Sequence, residues 1–253
     1  MPRLDQLVVA RQLAASRTRA QRLIRNGRVR RTDTGKVLLR PGEKLADATP
    51  LAVEDDPEER YVSRAGLKLE AICTTLDKRL DGRAVLDIGQ STGGFSDCAL
   101  RLGARHVIGI EVGHGQLADA LRDDRRVTCL EGINARRMTE SKRLAEQVER
   151  HAPTLAVMDV AFISQTLILP DIAALLPAGS ELISLVKPQF ELDADALDKR
   201  GIVRDPSYQS AVRTRLENAC QRSGFAIRHW QPSPITGGDG NREWLLHALR
   251  QDD

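Results

Sequence analysis

From residue 65 onward the chain alternates apolar runs with amphipathic stretches, and that alternation restricts the fold more than any other feature. "AVLDIG", "HVIGIE", "RVTCLEG", "TLAVMDV" and "ELISLVK" read as strands that are apolar on both faces. "AGLKLEAICTTL", "GFSDCALRLG", "GQLADALR", "ESKRLAEQVERH" and "LILPDIAALL" read as helices before and between them. Strands that hide both faces, each followed by a helix, belong to a parallel sheet sandwiched between helices. "PSYQSAVRTRLENACQRSG" is a further helix, opened by Pro206 and closed by Gly224. "FAIRHWQ" and "EWLLHALR" follow with no helix between them, as an antiparallel hairpin would. The expectation is an α/β fold: a doubly wound, Rossmann-like sheet of seven strands over residues 64–253.

Residues 1–55 have a different pattern. Leu4, Leu7, Val8 and Leu13 approximate one helical face. Ser16 is placed to cap a second helix that buries Ala20, Leu23 and Ile24, and Asn26-Gly27 ends it. "KVLLRPGEKL" and "PLAVE" add short strands, giving a small α+β domain. Residues 1–44 hold twelve Arg and Lys against three Asp and Glu, whereas the whole chain is only +3, so the remainder is net acidic. The inward-facing set leaves Arg17, Arg19, Arg22, Arg25 and Arg28 on the outer side, and Arg3 joins them. A solvated helix face is the plain reading. However, clustered like charges with no intervening acid repel one another, and a nucleic-acid backbone would relieve that repulsion. "EDDPEERYVS", acidic and holding Pro57, reads as a linker, with residues 56–63 between the two domains.

The strand tips of the larger domain carry the chemistry. Lys187 arrives at the end of the apolar run "LISLV" and is followed by Pro188; an ammonium there is either wet or chemically used. Asp159 ends the preceding strand in "VMDV", and adjacent strand tips lie roughly 5 Å apart. Asp87 precedes a turn rich in glycine, "GQSTGGF", in which Gly89, Gly93 and Gly94 allow a ligand to approach the backbone, with Ser91, Thr92 and Phe95 beside them. Glu111 ends the next strand, where a carboxylate can accept hydrogen bonds from ribose hydroxyls. A nicotinamide site would want G-x-G-x-x-G, and Ser91 stands where its second glycine belongs. An S-adenosylmethionine site needs no pyrophosphate cradle, and an acid beside the loop suits its cationic amino-acid portion. S-adenosylmethionine is therefore preferred over nicotinamide. Asn134 follows the third strand and could meet a ligand edge, or could simply form an Asx turn.

Other classes are disfavoured. Cys73, Cys98, Cys129 and Cys220 are far apart without a CxxC, which points to free thiols in the cytoplasm and not to zinc or disulfides. The start of the chain lacks a continuous apolar signal segment. The most apolar long stretch, residues 167–186, is interrupted by Pro170, Asp171, Pro177 and Glu181, so no membrane span is expected.

"YVSRAGLKLE", "LDIGQSTGGFSD", "VGHGQL", "DVAFIS", "LVKPQFE", "GIVRD" and "GNREWLL" together resemble the TlyA family in order and spacing across essentially the whole chain. The resemblance implies an FtsJ-like S-adenosylmethionine-dependent methyltransferase, of a kind often called haemolysin, that methylates the 2′-hydroxyl of cytidine ribose in ribosomal RNA. It implies an N-terminal domain similar to the RNA-binding domain of ribosomal protein S-four. It also implies a catalytic group Lys-Asp-Lys-Glu, which falls on Lys68, Asp159, Lys187 and Glu243. Gln90 departs from the family's small residue in the cofactor loop, Glu111 from its aspartate, and His114 from its aromatic. In this reading Lys187 either accepts the hydroxyl proton as a neutral base or, protonated, stabilises the developing alkoxide. Lys68 and Glu243 would tune and orient that pair. Ribosomal RNA or ribosomal subunits are the implied partners. The competing class is a non-catalytic RNA-binding or assembly factor on the same fold, with Gln90 as its best support.

Overall fold

The computed structural model describes residues 1–56, 59–205, 207–237 and 240–252. Pro206, read as a helix opener, lies outside the described residues, as do Pro57 and Glu58 of the linker stretch. The chain forms two compact units, Met1–Arg60 and Tyr61–Asp253.

The first unit contains helices α1 (Leu4–Ala10) and α2 (Arg17–Arg25) and strands β1 (Val29–Arg31) and β2 (Leu51–Val53), the strands paired antiparallel. Ser16 Oγ accepts a hydrogen bond from Arg19 N at 3.2 Å, which caps α2, and Asn26 closes it. Leu4, Val8, Ala20, Leu23, Ile24, Val29 and Leu38 form its core. "KVLLRPGEKL" does not form the expected strand: it contributes only the isolated bridges Arg30–Val37 and Arg3–Lys44. Leu38 alone is buried there, with Val37 and Leu39 exposed on either side, and Pro41 offers no N–H to extend a ladder.

The second unit runs α3 (Ala65–Thr75), β3 (Ala84–Ile88), α4 (Gly94–Arg101), β4 (His106–Glu111), α5 (Asp119–Arg122), β5 (Val127–Glu131), α6 (Lys142–His151), β6 (Leu155–Met158), α7 (Leu169–Leu175), β7 (Glu181–Val186), α8 (Tyr208–Arg222), β8 (Phe225–Pro232) and β9 (Trp244–Arg250). Its seven-stranded sheet has the order β5-β4-β3-β6-β7-β9-β8. Strands β3 to β7 are parallel, and β9 lies antiparallel between β7 and β8. The doubly wound expectation holds, and the final hairpin enters the sheet with its second strand innermost. Both faces are dry: Leu86, Ile88, Ile108, Met158 and Leu182 pack on one side, Val85, Val107, Val157, Ile183 and Leu185 on the other. This alternation along each strand explains why the strands read as continuous apolar runs. Strand order reverses at β3, flanked by β4 and β6, so a crevice opens beyond the carboxyl ends of these three strands. No helix among the described residues is long and apolar enough to cross a membrane.

Candidate active site

A cavity of about 780 Å³ occupies that crevice, within the size range of small-ligand sites. Gly89, Gln90, Ser91, Thr92, Gly94 and Phe95 line one side of it, Glu111, Val112 and Asn134 a second, and Asp159 through Ser164 with Lys187 a third. The loop after β3 is held close by its glycines. Gly89 has φ +82°, and a Cβ there would lie 2.7 Å from the Asp159 carbonyl oxygen. A Cβ on Gly94 would meet Ser63 Oγ at 2.2 Å and Gly66 N at 3.0 Å, so the start of α3 is pressed against the start of α4. Ser91 takes φ +49°, unusual for a residue with a side chain. Its N–H donates to Glu111 Oε2 at 3.0 Å, while Glu111 Oε1 accepts from Gly113 N at 2.9 Å. Glu111 thus ties together two loops on the cavity wall as well as facing the cavity.

Two of the expected residues lie behind the cavity wall. Asp87 and Gly93 do not line the cavity. Asp87 is fully buried beneath the loop, accepting from Ser96 Oγ at 2.6 Å, and among the described residues its Oδ1 has no hydrogen-bond partner. Burial, opposed by the Ser96 bond and aided by the charge of Asp159, pushes its carboxyl up to about 7. Gly93 instead packs on Leu117 and Leu121, where a Cβ would lie 2.8 and 2.3 Å away. Gln90, the family departure, turns its side chain inward as well. It is 3% exposed and donates to Ser96 Oγ at 2.8 Å, with its amide filling the space left by Gly109. The longer side chain is therefore absorbed below the loop and leaves the cavity open. Asn134 lines the cavity while also forming an Asx turn, its Oδ1 accepting from Arg136 N at 3.0 Å.

The four residues carried by the resemblance fall into two pairs. Lys187 Nζ lies 2.6 Å from Asp159 Oδ1, both side chains partly exposed on the cavity wall. Lys68 Nζ donates to Glu243 Oε2 at 2.5 Å in a nearly dry environment, and neither residue lines the cavity. The β7–β9 ladder ends at Val186–Trp244, so Lys187 and Glu243 are the next residues on those two strands. Lys187 is extended, with φ −111° and ψ 99°, and Pro188 behind it begins a 3₁₀ turn that ends the strand.

Sequence reasoning missed Arg136, Phe162 and Ser164 on the cavity wall. Phe162 is 91% exposed at φ +63°, and its ring centroid lies 5.1 Å from that of Phe190. Its place shortly after a strand-end acid, outside any periodic apolar run, was the available signal. The arginines expected to face phosphate do have acids near them, supplied from outside α2. Arg3 and Arg17 lie 3.1 and 2.9 Å from the oxygens of Asp5. Arg19 and Arg22 both bond Glu59, and Arg28 lies 3.7 Å from Asp56. Arg25 is exposed. Of the stretch read as a linker, Asp56 and Glu59 bond within the first unit, whereas Tyr61 is buried in the second and Val62 N donates there to Asp97 Oδ2.

A parallel sheet of this order, closed by an antiparallel strand beside β7 and opening a glycine-walled cavity at its switch point, defines a Rossmann-like methyltransferase. The sequence profile described as FtsJ-like methyltransferase matches residues 61–250. YqxC of Bacillus subtilis is 43% identical over 97% of this chain and 84% of its own length. The Mycobacterium tuberculosis protein named 16S/23S rRNA (cytidine-2′-O)-methyltransferase TlyA is 36% identical over 99% of this chain and 91% of its own. A solved structure from Streptococcus thermophilus that carries a hemolysin name is 36% identical, covers 100% of this chain and 89% of that one, and superposes with a TM-score of 0.76. The chain belongs to the TlyA family of FtsJ-like methyltransferases. S-adenosylmethionine is the cofactor this family implies. The cavity fits such a group: Gly89 lets the backbone close on it, Val112, Ile133 and Phe162 offer apolar surface for a ring, and Asp159 and Glu111 oppose a positive charge.

Proposed function

We propose that the protein transfers a methyl group from S-adenosylmethionine to a ribose 2′-hydroxyl, of cytidine, in ribosomal RNA, and that it acts in the cytoplasm. The observation that carries this reading is the 2.6 Å pairing of Lys187 with Asp159 at the rim of the glycine-walled cavity. When bound, the cofactor supplies a methyl carbon activated by a sulfonium. The residues' task is then to align the attacking oxygen and to take charge of its proton. Lys187 holds that oxygen by a hydrogen bond, and Asp159 fixes the direction of the ammonium. Lys187 as a neutral amine would take the hydroxyl proton itself, and as an ammonium it would instead stabilise the charge developing on the oxygen while the proton passes to water. Lys68 and Glu243 hold the far side of Lys187 through the β7–β9 edge. Gly89, Ser91, Thr92, Gly94 and Phe95 would hold the methionine portion, and Glu111 and Asn134 would hold the ribose and ring portion.

The first unit, in this reading, resembles the RNA-binding domain of ribosomal protein S-four and contacts RNA phosphates through Arg3, Arg17, Arg19, Arg22, Arg25 and Arg28. It raises the local concentration of folded RNA at a catalytic unit that has little net charge of its own. The scarcity of aromatic residues, 3% of the chain, favours recognition of RNA shape and backbone over base stacking along a strand.

Tritium transfer from labelled S-adenosylmethionine to ribosomal RNA tests the reading. Wild type is expected to label ribosomal RNA in the ribose, located by nuclease digestion and mass analysis, and Lys187→Ala is expected not to. Absence of transfer by wild type on naked RNA and on both subunits would overturn it in favour of a binding factor.

A further inference from the structure

Two segments leave the sheet side by side above the cavity. One follows β6 and runs from Asp159 to Ser164; the other follows β7 and runs from Lys187 to Glu191. At their roots stands the Asp159–Lys187 pair. At their far ends stands a buried carboxylate that no step above uses. Glu191 is 2% exposed; its Oε2 accepts from Ser164 Oγ at 2.6 Å and its Oε1 from Gln165 N at 2.8 Å. The nearest cation is Arg215 on α8, at 3.9 Å. Burial raises the Glu191 carboxyl above its ordinary range, as expected for a charge removed from water with only a distant counter-ion. An apolar side chain at this place would be less costly.

The segments are joined at a third point. The β6–β7 ladder ends at Met158–Ser184, and the Gln165 side chain takes over beyond it. Its Nε2 donates to Leu185 O at 2.6 Å and its Oε1 accepts from Ser184 Oγ at 2.8 Å, with Gln165 and Ser184 both buried. Phe162 and Phe190 meet between these anchors. The residues from Asp159 to Ser164 are thus fixed at both ends to β7 and its continuation, although they belong to a loop.

We propose that Glu191 is a positioning residue for methyl transfer: its carboxylate locks the segment after β6 to the segment after β7 and so sets the geometry of the Asp159–Lys187 pair. Loss of the lock is expected to spare the sheet and the cofactor loop after β3, since among the described residues the Glu191 carboxylate bonds only Ser164 and Gln165 and pairs with Arg215. It frees the Asp159 segment to drift relative to Lys187. A displacement of the order of 1 Å at reacting groups can cost as much as about a hundredfold in rate. The proposal rests on the methyltransferase reading above for its kinetic readout, and on the geometry alone for a second one.

The experiment compares full-length wild type with Glu191→Ala, Glu191→Gln and Ser164→Ala. Three quantities are read: the rate of methyl transfer to ribosomal RNA, the calorimetric Kd for S-adenosylmethionine, and the rate of Lys187 labelling in reductive methylation with formaldehyde and borohydride, followed by peptide mass analysis. Glu191→Ala is expected to lower kcat at least about tenfold, with the cofactor Kd within about threefold, and to speed Lys187 labelling several-fold. Glu191→Gln is expected to regain most of the rate, because an amide can accept from Gln165 N and donate to Ser164 Oγ. Ser164→Ala is expected to show a smaller loss of the same kind. A Glu191→Ala protein with lowered Tm but wild-type kcat and wild-type labelling would overturn the proposal and leave Glu191 a packing group. If Glu191→Ala does not fold, wild-type kcat and wild-type labelling in Ser164→Ala overturn it equally. If wild type itself transfers no methyl group, the functional reading fails, and the labelling rates alone decide the role of Glu191.

Discussion

Lys187 Nζ and Asp159 Oδ1 approach to 2.6 Å across the mouth of two neighbouring parallel strands, with the side chains 15% and 16% exposed. The pair is largely shielded from water, so its two charges interact more strongly than they would at an open surface. In the proposed mechanism its two members serve different ligands, and their substitution should separate binding from chemistry. Lys187→Met is expected to reduce the single-turnover rate by about a hundredfold or more while the cofactor Kd stays within about threefold. Asp159→Asn is expected to lower the rate and to weaken cofactor binding as well, because in the proposed reading its carboxylate opposes the cofactor's positive charge. Calorimetry and quenched-flow transfer measure the two effects. Equal loss of cofactor affinity in both variants would assign the lysine to cofactor binding.

Lys68 and Glu243 make the more buried ion pair, 2.5 Å apart with side chains 10% and 3% exposed. Removing one partner strands the other charge, with a cost of about 3–5 kcal/mol. Lys68→Met and Glu243→Leu are therefore each expected to destabilise strongly in urea, and the double variant to be much less affected than their sum. Methyl transfer should remain low in the double variant, since the polar support at the β7–β9 edge is gone. Recovery of both stability and transfer would make the pair purely structural.

Gly94 is wedged against the start of α3: a Cβ added to it would have Ser63 Oγ, Ala65 Cβ and Gly66 N all within 3.0 Å. Gly94→Ala forces those atoms apart, and Ser63 and Ala65 line the cavity. The variant is expected to raise the S-adenosylmethionine Kd at least about tenfold while the sheet keeps its far-UV signal, since overpacking of this kind typically costs about 1–3 kcal/mol. Unchanged affinity by calorimetry would mean that α3 yields without moving the cavity wall.

Much of the sheet was legible because each strand is buried on both faces and so carries a continuous apolar code. Lys187 and Asp159 were legible for a related reason: a charge that terminates such a run stands out. The placement of Asp87 was not legible, because a strand-end acid looks the same whether it faces a cavity or folds under the loop. Its partner, the Ser96 hydroxyl, lies nine residues away and gives no strand-level signal. Glu59 was unreadable as a partner for Arg19 and Arg22, which lie 40 and 37 residues earlier. Pairings set by tertiary folding leave no local spacing to detect. Phe162 was missed because one exposed aromatic has no periodicity.

Buried Asp87 should give the protein a measurable pH signature. Its carboxyl titrates at about 7 in the fold, against an ordinary value of 3.8. Between those values the folded chain holds a proton that the unfolded chain has released, so the contribution of this group falls as pH rises from about 4 to 7. Asp87→Asn removes the titration while keeping an oxygen to accept from Ser96 Oγ. The variant is expected to gain stability relative to wild type as pH is raised from about 5 to about 8, read as the difference in Tm between the two proteins. Tm curves that stay parallel over that range would place the Asp87 proton elsewhere.

Glu59 bridges Arg19 and Arg22 at 2.7 and 2.5 Å and is only 15% exposed, so two of the arginines proposed to meet RNA already share a carboxylate. An RNA phosphate must displace that carboxylate or bind with part of its attraction cancelled. Glu59→Gln removes the competing charge and leaves an amide of the same shape. The variant is expected to bind ribosomal RNA several-fold more tightly at low salt, and its log K against log salt slope is expected to steepen by about one, the value for roughly one additional phosphate contact. Arg19→Gln should reverse both changes when combined with it. Filter binding at several salt concentrations measures the slopes. A Glu59→Gln protein with wild-type affinity and slope would mean that RNA does not reach this face of α2, and the phosphate contacts would then have to be sought at Arg25 and beyond.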